Sequence, residues 1–417
     1  MKRKRKLKPK LSDLIPDPAK RKKVEEALYS DSPLLGPDGV FTDILQSLVN
    51  ASLEGELDAH LRSEKLWGES NRRNGHSSKS VKSAAGNLDI KTPRDRKSSF
   101  TPKIVGKWER ELKGGLEGAI LALYAQGNST EDIHRMLKKI YGVSYSTSNI
   151  SEITERVWPQ INSWQQRPLQ RAYMILYLDG IFFRIQEDGR FVEKTLYSAY
   201  GVDIEGNRDL LGLYLNKKEA ADQWLLVLED IKRRGVEDIF FVCIDGLPGF
   251  KKVIHTVFPQ AIVQRCIVHK VRNSLRYASD RQYKALAADL RKVYSSADRL
   301  QAQMALDEFE EKWGEKGQRI AELWRKDWED LMAFMDFSQD LRKMIYTTNP
   351  VENLHRILRK VVKSKGAWIS ERALIKQLYL ALMQNQKSWK RKAYRWKAIQ
   401  EQLEFKFGDR FTKFLDN

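Results

Sequence analysis

The sequence predicts an α/β domain built on a five-stranded mixed sheet, interrupted by an all-α insertion and preceded by an α-helical region. Three observations lead to this fold class. The apolar pattern changes from a helical to a strand period near Tyr173. Three β-rich runs are then followed by alternating helix and strand, and a long helical stretch separates the last strand from an amphipathic helix near residue 350. At 417 residues, the chain is long enough for two or three domains.

The composition limits the class of partner. The chain carries 74 Lys+Arg against 55 Asp+Glu, a net charge of +19, which favours a nucleic-acid partner because neutralised phosphates release condensed counterions. Two cysteines imply no disulfide framework and fit a reducing compartment. Residues 1–10 are basic with no apolar run behind them, and no apolar stretch approaches the ~20 residues that span a bilayer. We therefore expect a cytoplasmic, DNA-associated protein without a membrane segment.

The first 110 residues are predicted to hold a helical segment and a basic DNA-binding arm. Residues 11–66 have amphipathic helical patterns, whereas 71–103 is rich in Ser, Gly and Pro and has little periodicity. This second segment holds nine Lys/Arg against two Asp, which suits phosphate contacts along an extended arm. A solvated linker is the alternative. The arm residues expected to contact DNA are Arg72, Arg73, Arg94, Arg96 and Lys97.

Residues 111–168 are predicted to form a helix-turn-helix-like DNA-binding domain. Capping serines and a glycine break the segment into three short helices, and a tight turn precedes the last of them. In a helix-turn-helix, the N-terminus of the last helix contacts base edges, although small three-helix units also occur without DNA. The helices are expected at about 116–126, 129–141 and 146–164, with Ser146, Thr147 and Asn149 offered to DNA.

Residues 169–267 are predicted to form the first part of the catalytic core. Three antiparallel strands come first, and Asp188-Gly189 is a strong hairpin turn between the first two. A helix, a short buried strand, a second helix and a fifth strand follow. This is the order of an RNase H-like domain, in which the first and fourth strands lie side by side. The five strands are expected at 173–186, 190–203, 209–216, 238–246 and 261–266.

The remaining chain is predicted to be helical. Residues 268–344 form the all-α insertion, 345–385 the final helices of the core, and 386–417 a basic, aromatic C-terminal helix. Within 298–336 there are eleven acids and six cations, which is unsuited to tracking phosphates. A separate helical subdomain is the better interpretation, with three tryptophans as core rather than as stacking partners of DNA. These are Trp313, Trp324 and Trp328.

Three acids are candidates for a shared site. Asp179 interrupts an apolar strand, where Asp is disfavoured, and Asp245 ends the fourth strand, so adjacent first and fourth strands would bring the two carboxylates together. Turn formation by two Asp-Gly dipeptides is the alternative. Glu352 lies in the first turn of a helix starting at Asn349-Pro350, where a capping box or an ion pair with the next turn would also explain it. Cations that share its face and could cradle DNA are Arg356, Arg359 and Lys363.

Three oxygen donors suit Mg²⁺ or Mn²⁺ rather than zinc. Two such ions could clamp a scissile phosphate, one at the nucleophile and one at the leaving oxygen. Cys266 and His269 form half of a zinc pattern, which Cys243 with His255 or His355 would have to complete. The second functional interpretation is that His269 hydrogen-bonds a phosphate, the nucleophile or a carboxylate. The alternative without a function in catalysis is a histidine buried for structural reasons.

Four sequence blocks resemble the signature of Mutator-type bacterial insertion-sequence transposases. The blocks are "YLDGIFF", "DGLPGF", "CIVHKVRNSL" and "YTTNPVENLHRILRK". The resemblance covers roughly residues 40 to 400 and implies a DDE transposase with an RNase H-like fold. It implies that Asp179, Asp245 and Glu352 are the metal-binding catalytic triad. It also implies that residues of the third block support the active site, namely Cys266, His269, Arg272 and Asn273.

The same resemblance implies binding to double-stranded terminal inverted repeats and target DNA, by a homodimer or a larger synaptic assembly. The expected reaction is Mg²⁺-dependent hydrolysis at the element end to expose a 3′-OH. That hydroxyl then attacks a second phosphodiester, with an excised circular intermediate. Two rival functions are a non-catalytic DNA-binding regulator and a nuclease that cuts without joining.

Overall fold

The computed structural model describes residues 15–415, apart from 16, 30–38, 69, 84, 113–115, 142, 217–220, 247–248, 347–348, 364 and 366. The basic N-terminal residues therefore lie outside the described part. Side chains also outside it within helices are those of Ala221, Asn349, Pro350, Glu352, Val362 and Lys363. The chain forms two compact units, Met1–Arg156 and Val157–Asn417.

The first unit combines helices with one two-stranded sheet. Asp17 caps its first helix by accepting a hydrogen bond from the Ala19 amide (2.9 Å). The described elements are α1 (Pro18–Leu28), α2 (Val40–Leu66), β1 (Arg73–Ser83), β2 (Gly86–Asp95), α3 (Glu117–Ala125), α4 (Thr130–Tyr141) and α5 (Thr147–Glu155).

The segment predicted as an extended arm is a β-hairpin, so that prediction is wrong. β1 and β2 pair antiparallel, and alternate apolar side chains point to one face and pack against α2. The frequent Ser and Lys residues conceal this alternation, because they occupy the exposed positions. The buried side chains are Val81, Leu88 and Ile90 on the hairpin, with Val49 and Leu53 on α2.

The three predicted short helices are present, but the third is shorter than expected. α5 ends at Glu155, and a new helix, α6 (Trp158–Gln166), starts just after it. Pro159 occupies the first turn of α6, a position where its missing N–H does no harm but where it cannot continue a preceding helix. The predicted single helix over 146–164 is therefore two helices.

The second unit is built on a five-stranded mixed sheet with the order β5-β4-β3-β6-β7. β3, β4 and β5 pair antiparallel, and β6 and β7 run parallel to β3. The predicted adjacency of the first and fourth strands is confirmed. The predicted Asp188-Gly189 turn is confirmed too, with φ of 48° and 75°. The strands are β3 (Ala172–Glu187), β4 (Arg190–Asp203), β5 (Arg208–Asn216), β6 (Asp238–Ile244) and β7 (Ile262–Arg265).

Helices cover both faces of this sheet. One face packs on α7 (Ala221–Arg233) and α8 (Phe250–Val257). The helices after β7 bury their apolar residues in one cluster with the other sheet face, rather than in a core of their own. No described helix has the length and apolarity needed to cross a bilayer. The later helices are α9 (Ile267–Leu275), α10 (Tyr283–Tyr294), α11 (Arg299–Lys326), α12 (Trp328–Met332), α13 (Gln339–Tyr346), α14 (Asn349–Lys363), α15 (Glu371–Gln384), α16 (Gln386–Trp389), α17 (Trp396–Phe407) and α18 (Asp409–Thr412).

Trp324 is a core residue, as predicted, and we expect Trp324→Ala to lower stability by about 3–5 kcal/mol. Its side chain is fully buried, and its Nε1 donates to Ser274 Oγ (2.9 Å), so truncation leaves a cavity and removes a buried hydrogen bond. Thermal unfolding checks this, with Phe405→Ala as the control because Phe405 is exposed and should change stability by less than about 0.5 kcal/mol. An unchanged melting temperature together with lost DNA-dependent activity would instead indicate a stacking role.

Candidate active site

Asp179 lies in the middle of β3, and its side chain is 19% exposed. The strand continues in register through Asp179-Gly180 and pairs with β4 on both sides of it, so the turn-forming alternative is wrong at this dipeptide. The Gly180 amide donates to Asp179 Oδ1 (2.8 Å). A carboxylate is therefore held on a rigid strand rather than on a loop.

Asp245 lies beside Asp179 because of the parallel register of their strands. Tyr177 of β3 pairs with Cys243 of β6, and each acid lies two residues beyond that pair, Asp179 within β3 and Asp245 just past the end of β6. Neighbouring strands are about 4.8 Å apart, so the two carboxylates are adjacent at this edge. The Asp245 side chain is 47% exposed. Gly249, not Asp245, precedes α8 as its cap.

A buried histidine fixes the Asp179 carboxylate. His355 of α14 is 2% exposed, and its Nδ1 lies 3.2 Å from Asp179 Oδ2. Burial raises the pKa of Asp179, but the hydrogen bond from His355 and the electrostatic influence of His355 and His269 outweigh it, so this pKa lies below its ordinary value. Asp179 is therefore kept ionised, as a metal ligand needs to be.

A cavity of about 460 Å³ opens over the two carboxylates. Three arginines line this cavity together with the two acids. Their positive charge would attract a phosphodiester backbone that the two carboxylates would otherwise repel. Of the predicted site residues, His269, Arg272, Asn273 and Arg359 all reach this cavity. The lining residues are Asp179, Gly180, Ile181, Phe182, Asp245, His269, Arg272, Asn273, Arg276 and Arg359.

The Cys-x-x-His element is split between the cavity and the core. His269 Nδ1 is buried without a hydrogen-bond partner and lies 3.6 Å from Asp245 Oδ1, longer than a hydrogen bond. Cys266 is buried just before α9. Burial and the neighbouring Cys266 raise the pKa of the Cys243 thiol, which disfavours the thiolate that zinc requires. His255 bonds to the Ala261 carbonyl instead (3.1 Å), so the zinc alternative gains no support.

Glu352 lies in the first turn of α14, and its side chain is outside what the structure describes. Its backbone position is fixed indirectly, since His355 follows one helical turn later and contacts Asp179. Among the side chains that are described, no group of three or more His, Cys, Asp or Glu could hold a metal ion. The three-carboxylate site therefore stays a prediction, as do the placements of the Asn349 cap and the Lys363 side chain.

Two hydrogen bonds tie the end of α13 to the strands that carry the acids. Tyr177 Oη donates to the Met344 carbonyl (2.6 Å), and Cys243 Sγ donates to the Ile345 carbonyl (3.3 Å). Both donors are buried. These bonds hold the C-terminal end of α13 over β3 and β6.

The predicted DNA-contact residues of the first unit are all exposed, and one of them, Arg73, also forms ion pairs within the protein. Ser146 caps α5 by accepting from the Asn149 amide (3.2 Å), and Thr147 and Asn149 are exposed at that helix end. Arg73 pairs with acids of α2 and so has a structural partner. Those acids are Glu54 and Asp58. The other predicted contact residues of this segment are exposed in the hairpin or directly beside it, namely Arg72, Arg94, Arg96 and Lys97.

Arg356 and Arg359 share the exposed side of α14, but only Arg359 lines the cavity. Arg356 Nη2 donates to Asn353 Oδ1 (2.8 Å). The sequence interpretation missed His355 as a partner of Asp179. Its spacing of three residues from Glu352 was the available signal, since residues three apart share a helix face.

Comparison with known proteins agrees with the four sequence blocks. Residues 19–392 match "Transposase, Mutator family". The transposase for insertion sequence element ISRM3 of Rhizobium meliloti is 37% identical over 382 residues, covering 91% of this chain and 95% of that protein. A probable insertion-sequence transposase of Corynebacterium diphtheriae is 34% identical, covering 78% of this chain and all of that protein.

Among solved structures, the Drosophila P element transposase strand transfer complex is similar over 71% of this chain and 87% of that one, at 11% identity and a TM-score of 0.28. A likeness this distant carries no weight for the assignment. The family match spans most of the chain, and positions 179, 245 and 352 lie within its range. The resemblance is thereby confirmed, and the chain belongs to the Mutator family of transposases.

Proposed function

We propose that this protein is an insertion-sequence transposase that binds terminal inverted repeats, cleaves the element end to a 3′-OH and joins it to a second phosphodiester through a circular intermediate. The observation that carries the proposal is the pair Asp179 and Asp245, adjacent on parallel strands beneath a cavity lined by arginines. Family membership supports the same reaction class.

We propose that the second unit is an RNase H-like catalytic core with an all-α insertion. The strand order β5-β4-β3-β6-β7, with only the first three strands antiparallel, supports this fold. The helices of residues 267–346 come between the second acid and α14 in sequence. Asp245 and Glu352 would then be joined by the insertion yet meet at one sheet edge.

The residues present suit two Mg²⁺ or Mn²⁺ ions held by Asp179, Asp245 and Glu352. All three donors are carboxylates, the ligand type that these ions prefer. The lowered pKa of Asp179 keeps its oxygens ionised at neutral pH. When bound, the ions supply Lewis-acid activation of the nucleophile and charge stabilisation at the leaving oxygen.

The chain's own side chains orient the DNA strand. Arg272, Arg276 and Arg359 line the cavity and would hold the phosphates that flank the scissile one. His269 lines the cavity beside Asp245 and would hydrogen-bond the scissile phosphate or its nucleophile. Water attacks first and the new 3′-OH attacks second, so no Ser or Tyr nucleophile is required.

DNA recognition is proposed for the first unit. The exposed polar N-terminus of α5 suits base edges, as in a helix-turn-helix. An insertion sequence has two equivalent ends that must each be bound and cut, which favours a homodimer or a larger synaptic assembly. A bacterial cytoplasmic location on DNA follows from this role.

The hairpin cations are expected to contact phosphates. Replacing Arg94 and Arg96 together by Gln should reduce the slope of log K against log salt by about 2, because each lost phosphate contact removes roughly 0.9 of released counterion. Filter binding of end DNA at several salt concentrations measures this. The double Lys variant is the matched control, since it retains both charges and should retain the slope. A Gln variant with the wild-type slope would place these cations away from DNA.

One assay tests the proposed function as a whole. Purified protein is incubated with labelled end DNA and Mg²⁺, and the products are examined for nicks and for joined strands. We expect both, and neither on DNA with a scrambled end. Binding without cleavage would identify a regulator instead, and cleavage without joining would identify a structure-specific nuclease.

A further inference from the structure

His355 contacts more than one group beside Asp179. Its Nε2 lies 3.0 Å from Ser198 Oγ, and Ser198 Oγ lies 3.1 Å from the Asp179 carbonyl oxygen. Ser198 is the residue of β4 directly opposite Asp179 in the antiparallel register. The imidazole therefore closes a ring of hydrogen bonds that starts at the carboxylate of Asp179 and returns to its backbone.

Burial makes this ring rigid. Ser198 is fully buried and His355 is 2% exposed, so neither can exchange its partner for solvent without a change in packing. The other carboxylate oxygen, Oδ1, accepts from the Gly180 amide. Each carboxylate oxygen has a second lone pair, so the ring fixes the orientation of the carboxylate and leaves acceptor positions facing the cavity.

The order Asp, His, Ser is that of a nucleophilic triad, but the geometry excludes this role. The Ser198 hydroxyl has no exposed surface and lies against the Asp179 carbonyl, so no substrate atom can reach it. A triad nucleophile has to be accessible in the substrate pocket. Of the three residues, Asp179 is the one that lines the cavity. His355 and Ser198 therefore act on the orientation of Asp179.

We propose that His355, anchored by Ser198, is a positioning residue that holds the Asp179 carboxylate in the orientation required for divalent-metal binding. The proposal rests on the metal-dependent function proposed above. Hydrogen-bonded partners of metal ligands typically change metal affinity 10- to 100-fold when they are lost. A His355 whose only role was to fill the core would have no such effect.

Two isosteric variants separate orientation from packing. In His355→Asn the amide nitrogen takes the place of Nδ1 and can still donate to Asp179, whereas in His355→Gln it takes the place of Nε2 and reaches only Ser198. Mn²⁺ affinity of the full-length chain, measured from the electron paramagnetic resonance signal of free Mn²⁺, is the readout. Thermal unfolding shows that each variant is folded.

We expect His355→Gln to weaken Mn²⁺ binding by about 10-fold or more and His355→Asn to remain within about 3-fold of the wild type. Equal affinities for the two variants would overturn the proposal. If His355→Gln does not fold, Ser198→Ala serves instead, and it should weaken binding several-fold, whereas an unchanged affinity overturns the proposal. Asp179→Asn separates failure of the metal site from failure of the role given to His355. If this variant binds Mn²⁺ like the wild type, the metal site itself is refuted, together with this inference.

Discussion

Asp179→Asn is expected to lower both end cleavage and strand joining by at least ~10³-fold while end DNA remains bound. Asn has the shape of Asp and can still accept the Gly180 amide through its oxygen, but it removes the negative charge beside Asp245. Metal ions contribute several kcal/mol of charge stabilisation in the transition state, and each 1.36 kcal/mol corresponds to a tenfold change in rate. Single-turnover assays on labelled end DNA measure the loss.

Asp188→Asn is the matched control for this experiment. Asp188 is exposed in the turn of the same hairpin with φ of 48°, a conformation that Asn tolerates well. The same chemical change there should leave both reactions within about twofold of the wild type. Wild-type cleavage by a folded Asp179→Asn protein would show that this acid does not hold a catalytic metal.

Glu352→Gln is expected to have an equally large effect, and it decides between two roles for Glu352. Gln can replace Glu in a capping box, so a purely structural Glu352 would lose little more than an ion pair worth about 0.3–0.5 kcal/mol. A metal ligand, by contrast, loses its charge, and cleavage should fall by at least ~10³-fold. The measurement is cleavage at saturating Mg²⁺, together with thermal unfolding.

Glu308→Gln is the control, since Glu308 is exposed on α11 and should affect neither cleavage nor stability. Full activity of Glu352→Gln, with the melting temperature unchanged, would assign Glu352 to the helix start alone. The metal site would then need a different third ligand, and the triad implied by the resemblance would be wrong for this chain.

The sequence could predict that Asp179 and Asp245 lie on neighbouring strands, because that depends on strand order. An acid within an apolar strand and another at the end of the fourth strand meet in any sheet where those strands are neighbours. Their equal offset from the Tyr177–Cys243 pair depends on register. That register runs without a shift from Ala172 opposite Asp238 to Tyr177 opposite Cys243, and it is set by packing that a single sequence does not reveal.

The hairpin and the His355–Ser198 contact show where sequence reasoning fails. Only one face of the hairpin is buried, and β1 contributes a single buried apolar side chain, Val81, so a two-residue period is hard to recognise in that strand. Ser198 meets His355 through a strand register and a helix position more than 150 residues apart. Local patterns hold no information on such a contact, because both residues are ordinary in their own elements.

The tethers from Tyr177 and Cys243 to the end of α13 both terminate on main-chain oxygens. These hydrogen bonds therefore do not depend on which side chains stand at positions 344 and 345, although both side chains are buried in the core. The inserted helices can thus vary at their exposed positions while these bonds, together with those of Gln264 on β7 to Leu331 and Phe334, return the chain to the sheet. Variation at those exposed positions would change the protein surface near the DNA and leave the proposed catalytic acids in place.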